Sequence, residues 1–369
     1  EEINEVINTL KSGWITTGPK VNLFESKFAD YFGSEVHAIS VNSATSGLHL
    51  ALEAVGISEG DEVIIPTLTF TATAEIVRYL GANVKIIDIN PRTLNINIDS
   101  IVNAITNKTR LIIPVHYGGL SCDMDHILQI AEDYNLNVIE DAAHALPAFY
   151  KGAKIGTLES AATVFSFYAN KTMTTAEGGM VLTKSENLAN RMRIMRLHGI
   201  DRDAFNRFQS TKPSWYYEVV APGYKYNMTD IAASIGIHQL DKLEHFSKRR
   251  IELARRYNEA LSGLPLTLPP YGISEEAHAW HLYVVRLNTT CKVSRNELIE
   301  KLYDKRIGTS VHYVPLHRQP YWRNKYDLSD KMFPNAEEAY KSMISLPLYA
   351  GMTDQQQEYV IDMLLELLK

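Results

Sequence analysis

From about residue 36 to residue 184, short apolar runs rich in β-branched residues alternate with helical patterns, and this alternation restricts the fold more than any other feature. The runs predict strands at His37–Val41, Glu62–Pro66, Val84–Ile89, Arg110–Ile113, Asn137–Glu140, Thr163–Phe167 and Met180–Thr183. Helical patterns lie between several of them, at Ser46–Val55, Ala72–Leu80 and Met124–Tyr134. Strands joined through helices pair in parallel, because a parallel pair needs a long crossover connection. The fold class is therefore α/β, built on a mostly parallel sheet. Ligands of such sheets sit beyond the carboxyl ends of the strands, so the residues following each run are the ones to inspect.

Beyond the sheet, a long helical pattern covers about Met228–Leu261. A proline-rich break, LPLTLPP, precedes the strand-like His281–Leu287, the helix Arg295–Tyr303 and a final helix at Asp354–Leu368. A chain of 369 residues is long for one hydrophobic core. The expected division is a large domain over 1–242 and a smaller α+β domain over 243–369. The opening EEINEVINTLKSG has the pattern of an amphipathic helix and lacks the plan of a signal peptide.

Composition narrows the function classes. A net charge of -6 gives no electrostatic reason for nucleic acid or a membrane surface as partner. No apolar run approaches the roughly 20 residues of a spanning helix. The two cysteines, Cys122 and Cys291, cannot form a disulfide framework, which fits a reducing, cytoplasmic setting.

Three strand ends carry reactive groups. Asp141 follows Asn137–Ile139; a carboxylate there can cap a helix, or hold the cationic ring nitrogen of pyridoxal phosphate. In VFSFYANKTMTTAEGGMV, Ser166 lies in the strand and Lys171 follows five residues later. A loop lysine alone is ordinarily a solvated charge; beside a buried sheet end it can instead be desolvated, which lowers its pKa and frees the amine to attack a carbonyl. In VNSATSGLHL, Thr45 and Ser46 stand where a strand runs into a helix; such a helix start is either an ordinary cap or a phosphate cradle. Together the three ends supply what one cofactor needs: phosphate donors, a carbonyl-trapping amine and a ring-nitrogen carboxylate.

With these residues in place, SATSGLHLAL, EDAAHA, SFYANKTMTTAEGG and PGYKYNMTDIAASIG resemble the nucleotide-sugar aminotransferases of the DegT/DnrJ/StrS family. The resemblance runs from KSGWITTGPKV to LPLYAGMTDQQ. It implies a fold-type-I enzyme dependent on pyridoxal 5'-phosphate, with Lys171 as the Schiff-base lysine and proton shuttle. It further implies Asp141 at the pyridinium nitrogen, His144 near the phenolic oxygen, Phe70 on the ring face, and Thr45, Ser46 and Ser166 at the phosphate. For Phe70, plain core packing is the competing reading.

The family pattern also implies a homodimer with shared sites, in which the segment Gly223–Asn227 reaches the neighbouring cofactor. Here the usual asparagine position is Lys225, and Asn227 follows. Either could make the contact, or Lys225 is solvated and Asn227 is a helix N-cap. His312, Tyr313 and His317 are candidates for the sugar-nucleotide cleft, with structural burial as their alternative. Their spacing matches no zinc signature, so no metal is expected. His278 and His281 are expected to be structural.

The implied reaction moves an amino group from glutamate to a nucleoside-diphosphate keto-sugar. Met228–Ala233 lacks the L-D-x-x-Q-A pattern associated with C3 enzymes, which points to C4, and the Lys225-Tyr226-Asn227 form resembles the branch making 4-amino-4-deoxy-arabinose on UDP. Amination at C3 and a non-catalytic, sugar-sensing member remain the alternatives. A dehydratase of the family would carry His in place of Lys171.

Overall fold

The computed structural model describes residues 1–33, 35–201, 216–272 and 277–368. Among the described residues, helices α1 (Glu2–Ser12) and α2 (Pro19–Phe32) lead into nine strands before residue 184: β1 (His37–Val41), β2 (Glu62–Pro66), β3 (Asn83–Ile87), β4 (Thr109–Ile112), β5 (Asn137–Asp141), the short hairpin β6 (Phe149–Tyr150) and β7 (Ala153–Lys154), β8 (Ala162–Ser166) and β9 (Gly179–Thr183). Seven form one sheet in the order β1-β9-β8-β5-β4-β2-β3. The pairs β2/β3, β2/β4, β4/β5 and β5/β8 are parallel, and β9 runs against both β8 and β1. Hence β1, β2, β4, β5 and β8 all end at the same edge. The residues that follow them, from Ser43 round to Ser166, meet there.

Strand alternation divides the apolar residues between two layers. Ile39, Val63, Ile65, Leu111, Ile139, Val164 and Val181 join one core, with helices α3 (Ala44–Ala54) and α4 (Ala72–Tyr79) contributing Leu48, Ile76 and Val77. Ala38, Ile64, Ile112, Val138, Phe165 and Met180 face the other core. A helix the alternation does not announce, Pro19–Phe32, supplies Phe24 and Phe28 to that second core. Its start has no side-chain cap of its own; instead the buried carboxylate of Asp230 accepts from the N–H groups of Gly18, Lys20 and Val21.

The single helical pattern expected over Met228–Leu261 is two helices, Asp230–Asp241 and Leu243–Leu261, broken at Lys242 (φ -96°, ψ -6°). The break has a packing cause. Ile237 and Leu240 belong to the second core of the large sheet, whereas Leu253, Tyr257 and Leu261 belong to a third core. That core covers a three-stranded antiparallel sheet, β10 (Leu266–Thr267), β11 (Tyr283–Leu287) and β12 (Met343–Leu346), together with helices Arg295–Asp304 and Asp354–Leu368. Among the described residues, no helix is long and apolar enough to cross a membrane.

Candidate active site

A cavity of about 470 Å³ opens at the shared strand edge, a size typical of small-molecule sites. Thr45, Phe70, Asp141, His144, Ser166, Lys171, His312 and Tyr313 all line it.

Asp141 ends β5 with its side chain almost wholly buried. Its Oδ2 accepts from Thr73 Oγ1 at 2.8 Å and its Oδ1 from the Ala143 N–H at 3.2 Å. Burial raises its pKa, against the opposing influence of Thr73, Ala143 and Lys171. A carboxylate so enclosed is suited to hold a cationic group in the cavity.

Lys171 stands in a turn closed by its own N–H to Tyr168 O at 2.9 Å. The loop after it is tied down by Thr174 Oγ1 and the Thr175 N–H, both donating to Phe167 O. Desolvation lowers the Lys171 pKa to about 8, while Asp141 pulls the other way. A 13C-methyl-lysine NMR titration of the cofactor-free protein should therefore show one lysine with a midpoint near 8, far below the ordinary value of about 10.4. Asp141→Asn removes the stabilising anion and should move that midpoint lower still. A Lys171 midpoint above 10 in the wild type would contradict the desolvated placement.

One end of the cavity is built by the start of α3. Ser43 caps it, accepting from the Ser46 N–H, while Ser46 Oγ accepts from the Ser43 N–H and donates to Asn42 Oδ1. The Ser46 hydroxyl is thus spent on the cap and lies outside the cavity lining. Ala44 and Thr45 line the cavity, and their N–H groups have no partner inside the helix. Ser166, at the end of β8, closes the other side. A Cβ on Gly179 would sit 2.8 Å from the Ala44 nitrogen, so only glycine lets β9 pass this close to the helix start.

His144 is buried between Tyr313 and His281, with its ring 4.5 Å from that of His281. Burial, then Lys171 and His312, hold its pKa well below the usual value, so the imidazole is neutral. Its Nδ1 accepts from the Gly118 N–H at 3.3 Å; the ring proton then lies on Nε2, donated to the Tyr313 oxygen at 2.9 Å. That leaves the Tyr313 hydroxyl proton for the cavity. His312 is fixed by Ser345 Oγ at 2.8 Å. Phe70 is largely exposed at the cavity wall, 5.9 Å from the Tyr313 ring, rather than packed in the core.

Three further sequence candidates fall outside the cavity lining. His317 is fully buried away from the cavity; Thr67 Oγ1 and Glu337 Oε1 each lie 2.8 Å from one of its ring nitrogens, and its ring stacks on Phe333. Asp330 and Glu337 lie close to it, but Arg318 pairs with both carboxylates. Lys225 is exposed outside the cavity of its own chain. Asn227 is buried and donates to Thr17 Oγ1 at 2.6 Å. It is not a helix N-cap, since Thr229 fills that role. Sequence reasoning also missed contributors: Thr73, which lies three residues after Phe70 on α4, and Ser43, Tyr168, Asn170 and Glu177 in the lining. His281, expected to be structural, packs directly on His144.

The residues present fit pyridoxal phosphate: a desolvated amine, a buried carboxylate suited to a cationic ring nitrogen, and a helix start with donors for a phosphate, all on one cavity. Comparison with known proteins agrees. The chain is 54% identical over 355 residues to an uncharacterized protein of Methanocaldococcus jannaschii, covering 96% of this chain and 91% of that one. It is 46% identical over 371 residues to the spore coat polysaccharide biosynthesis protein SpsC of Bacillus subtilis, covering 100% and 95%. Among solved structures, the PMP form of Spr1654 from Streptococcus pneumoniae superimposes with a TM-score of 0.91 at 34% identity, covering 98% and 95%. The same protein has been solved in a PLP form. The DegT/DnrJ/EryC1/StrS aminotransferase family model matches residues 1–365, and the chain belongs to that family of pyridoxal-phosphate-dependent sugar aminotransferases.

Proposed function

We propose that this protein transfers an amino group from glutamate to a keto-sugar carried on a nucleoside diphosphate, with amination at C4. The observation that carries this reading is the meeting of Lys171, Asp141, Ser166 and the start of α3 on one cavity. Bound pyridoxal phosphate supplies the electron sink and carries the amino group between the two half-reactions.

The chain's own groups have separate tasks in this reading. Ser166, Thr45 and the N–H groups opening α3 hold the phosphate. Asp141, steadied by Thr73 and Ala143, accepts from the ring nitrogen and keeps it protonated. Phe70 covers one face of the ring. Lys171 takes a proton from the donor's α-carbon and, in the second half-reaction, delivers one to the sugar carbon that becomes aminated. A lysine with a pKa near 8 is suited to this, since its amine form is accessible near neutral pH. Neutral His144 orients the Tyr313 hydroxyl, and Tyr313 with His312 forms the wall against which the sugar nucleotide rests.

Glutamate as donor, the nucleotide carrier and the C4 position rest on the family pattern around Gly223–Ala233. A relative named for polysaccharide biosynthesis supports activated sugars as the substrate class. Incubation with glutamate and a panel of 4-keto and 3-keto nucleotide sugars, read by mass spectrometry, should give amino-sugar products from the 4-keto set. Products confined to the 3-keto set, or to free keto acids, would overturn the reading.

The working unit is a homodimer with shared sites. Lys225 is the cation offered to the neighbouring site, since Asn227 is engaged within its own chain. Lys171→Ala and Lys225→Glu should each be inactive alone. Mixed under subunit exchange, they should regain part of the wild-type activity, because one site per heterodimer then carries neither change. No recovery after proven exchange would assign Lys225 to its own chain's site.

A further inference from the structure

His116 and Glu140 are both fully buried at the end of the sheet, and neither lines the cavity. Glu140 precedes Asp141 on β5, so the two carboxylates point to opposite faces of the sheet. Asp141 faces the cavity; Glu140 faces the layer that holds Val138 and Cys122. There its Oε1 accepts from Thr163 Oγ1 at 2.8 Å, and its Oε2 lies 2.9 Å from His116 Nε2. The Cys122 N–H donates to His116 Nδ1 at 3.0 Å, which fixes the lone pair on that nitrogen and the ring proton on Nε2, directed at Glu140.

The same short stretch of chain brackets Asp141. The His116 N–H donates to Asp141 O at 3.1 Å, and the Asp141 N–H donates to Pro114 O at 2.9 Å. Cys122 Sγ donates to Val115 O at 3.2 Å. The main chain of Asp141 is thus clamped to Pro114–His116, and that segment is anchored by the His116–Glu140 pair. Both ring nitrogens of His116 and both carboxylate oxygens of Glu140 are engaged, so the clamp has little freedom to shift.

We propose that His116 and Glu140 are positioning residues for Asp141: their buried pair, on the far face of β5, sets where the Asp141 carboxylate meets the cofactor's ring nitrogen. This rests on the reading of Asp141 as the partner of that nitrogen. An ordinary core pair would stabilise the fold without distinguishing one cofactor ring from another. A positioning pair is felt only when the ring carries the nitrogen.

The test measures dissociation constants of the cofactor-free protein for pyridoxal phosphate and for its 1-deaza analogue, whose ring has carbon at that position. Wild type should prefer pyridoxal phosphate, and Asp141→Asn should abolish most of the preference. Glu140→Gln, which keeps shape and removes charge, should reduce it by about three- to ten-fold, as coupled neighbours do. His116→Phe should act in the same direction, and adding Glu140→Gln to Asp141→Asn should cause no further fall. If His116→Phe does not fold, Glu140→Gln decides alone. A wild-type preference retained in Glu140→Gln, whatever happens to thermal stability or to both affinities together, would overturn the proposal. A preference unchanged in Asp141→Asn would instead overturn the ring-nitrogen reading, and the proposal with it.

Discussion

Replacing Lys171 by alanine is expected to stop turnover while leaving pyridoxal phosphate bound. The two effects separate because the site divides its work in space. In the proposed reading, phosphate contacts come from Ser166, Thr45 and the start of α3, and the ring contact from Asp141; these groups line the cavity independently of the lysine side chain. The lysine, in contrast, is the desolvated amine of the cavity, placed to attack a carbonyl and to move a proton. Loss of general acid–base help alone costs about 10²- to 10⁴-fold, and loss of the nucleophile compounds it. Single-turnover measurements of Lys171→Ala with glutamate should show no formation of the amino form of the cofactor on the wild-type timescale. Retained cofactor absorbance after gel filtration would confirm that binding survives. A variant within ten-fold of wild-type kcat would remove Lys171 from the chemistry.

Asp141→Asn is the second large effect. The carboxylate is buried, and its neighbours are arranged to hold it rather than to neutralise it: Thr73 Oγ1 and the Ala143 N–H each donate one hydrogen bond. An amide of the same shape keeps these contacts in part but cannot hold a proton on the ring nitrogen. A charge-assisted hydrogen bond is worth roughly 1.5–3 kcal/mol, so kcat should fall by about ten-fold to more than a hundred-fold. Because burial outweighs the opposing influence of Thr73, Ala143 and Lys171 and raises the Asp141 pKa, the folded, cofactor-free protein gains nothing from ionising this carboxylate. Thermal stability of the cofactor-free variant should therefore equal or exceed that of the wild type. A large loss of stability with kcat intact would make Asp141 a structural residue instead.

Much of this was readable before any coordinates. The central strands of the large sheet announce themselves because both faces are covered, so their runs are largely apolar, whereas the edge strand β3 exposes Asn83 and Lys85; all seven are placed within one or two residues. The strand-end rule then selects Asp141, Ser166 and Lys171 without tertiary information. What stayed hidden depends on side chains meeting across the chain. His317 has the residue type of a cleft ligand, but its partners Thr67 and Glu337 come from elsewhere in sequence and hold it in the core. Ser46 looks like a phosphate donor, yet its hydroxyl is consumed by a capping box. The break at Lys242 has neither proline nor glycine to mark it; it exists because the two helices serve different cores. The pairing of His116 with Glu140 spans 24 residues and requires β5 to lie beside the segment following β4.

The central claim is that Lys171 is the residue joined to the cofactor. Borohydride reduction of the holoprotein, followed by proteolysis and mass spectrometry, tests it most directly. The pyridoxyl mass should be found on Lys171, within the stretch SFYANKTMTTAEGG, with loss of the visible absorbance in step with labelling. A label on any other lysine, or none under conditions that bleach the cofactor, would contradict it.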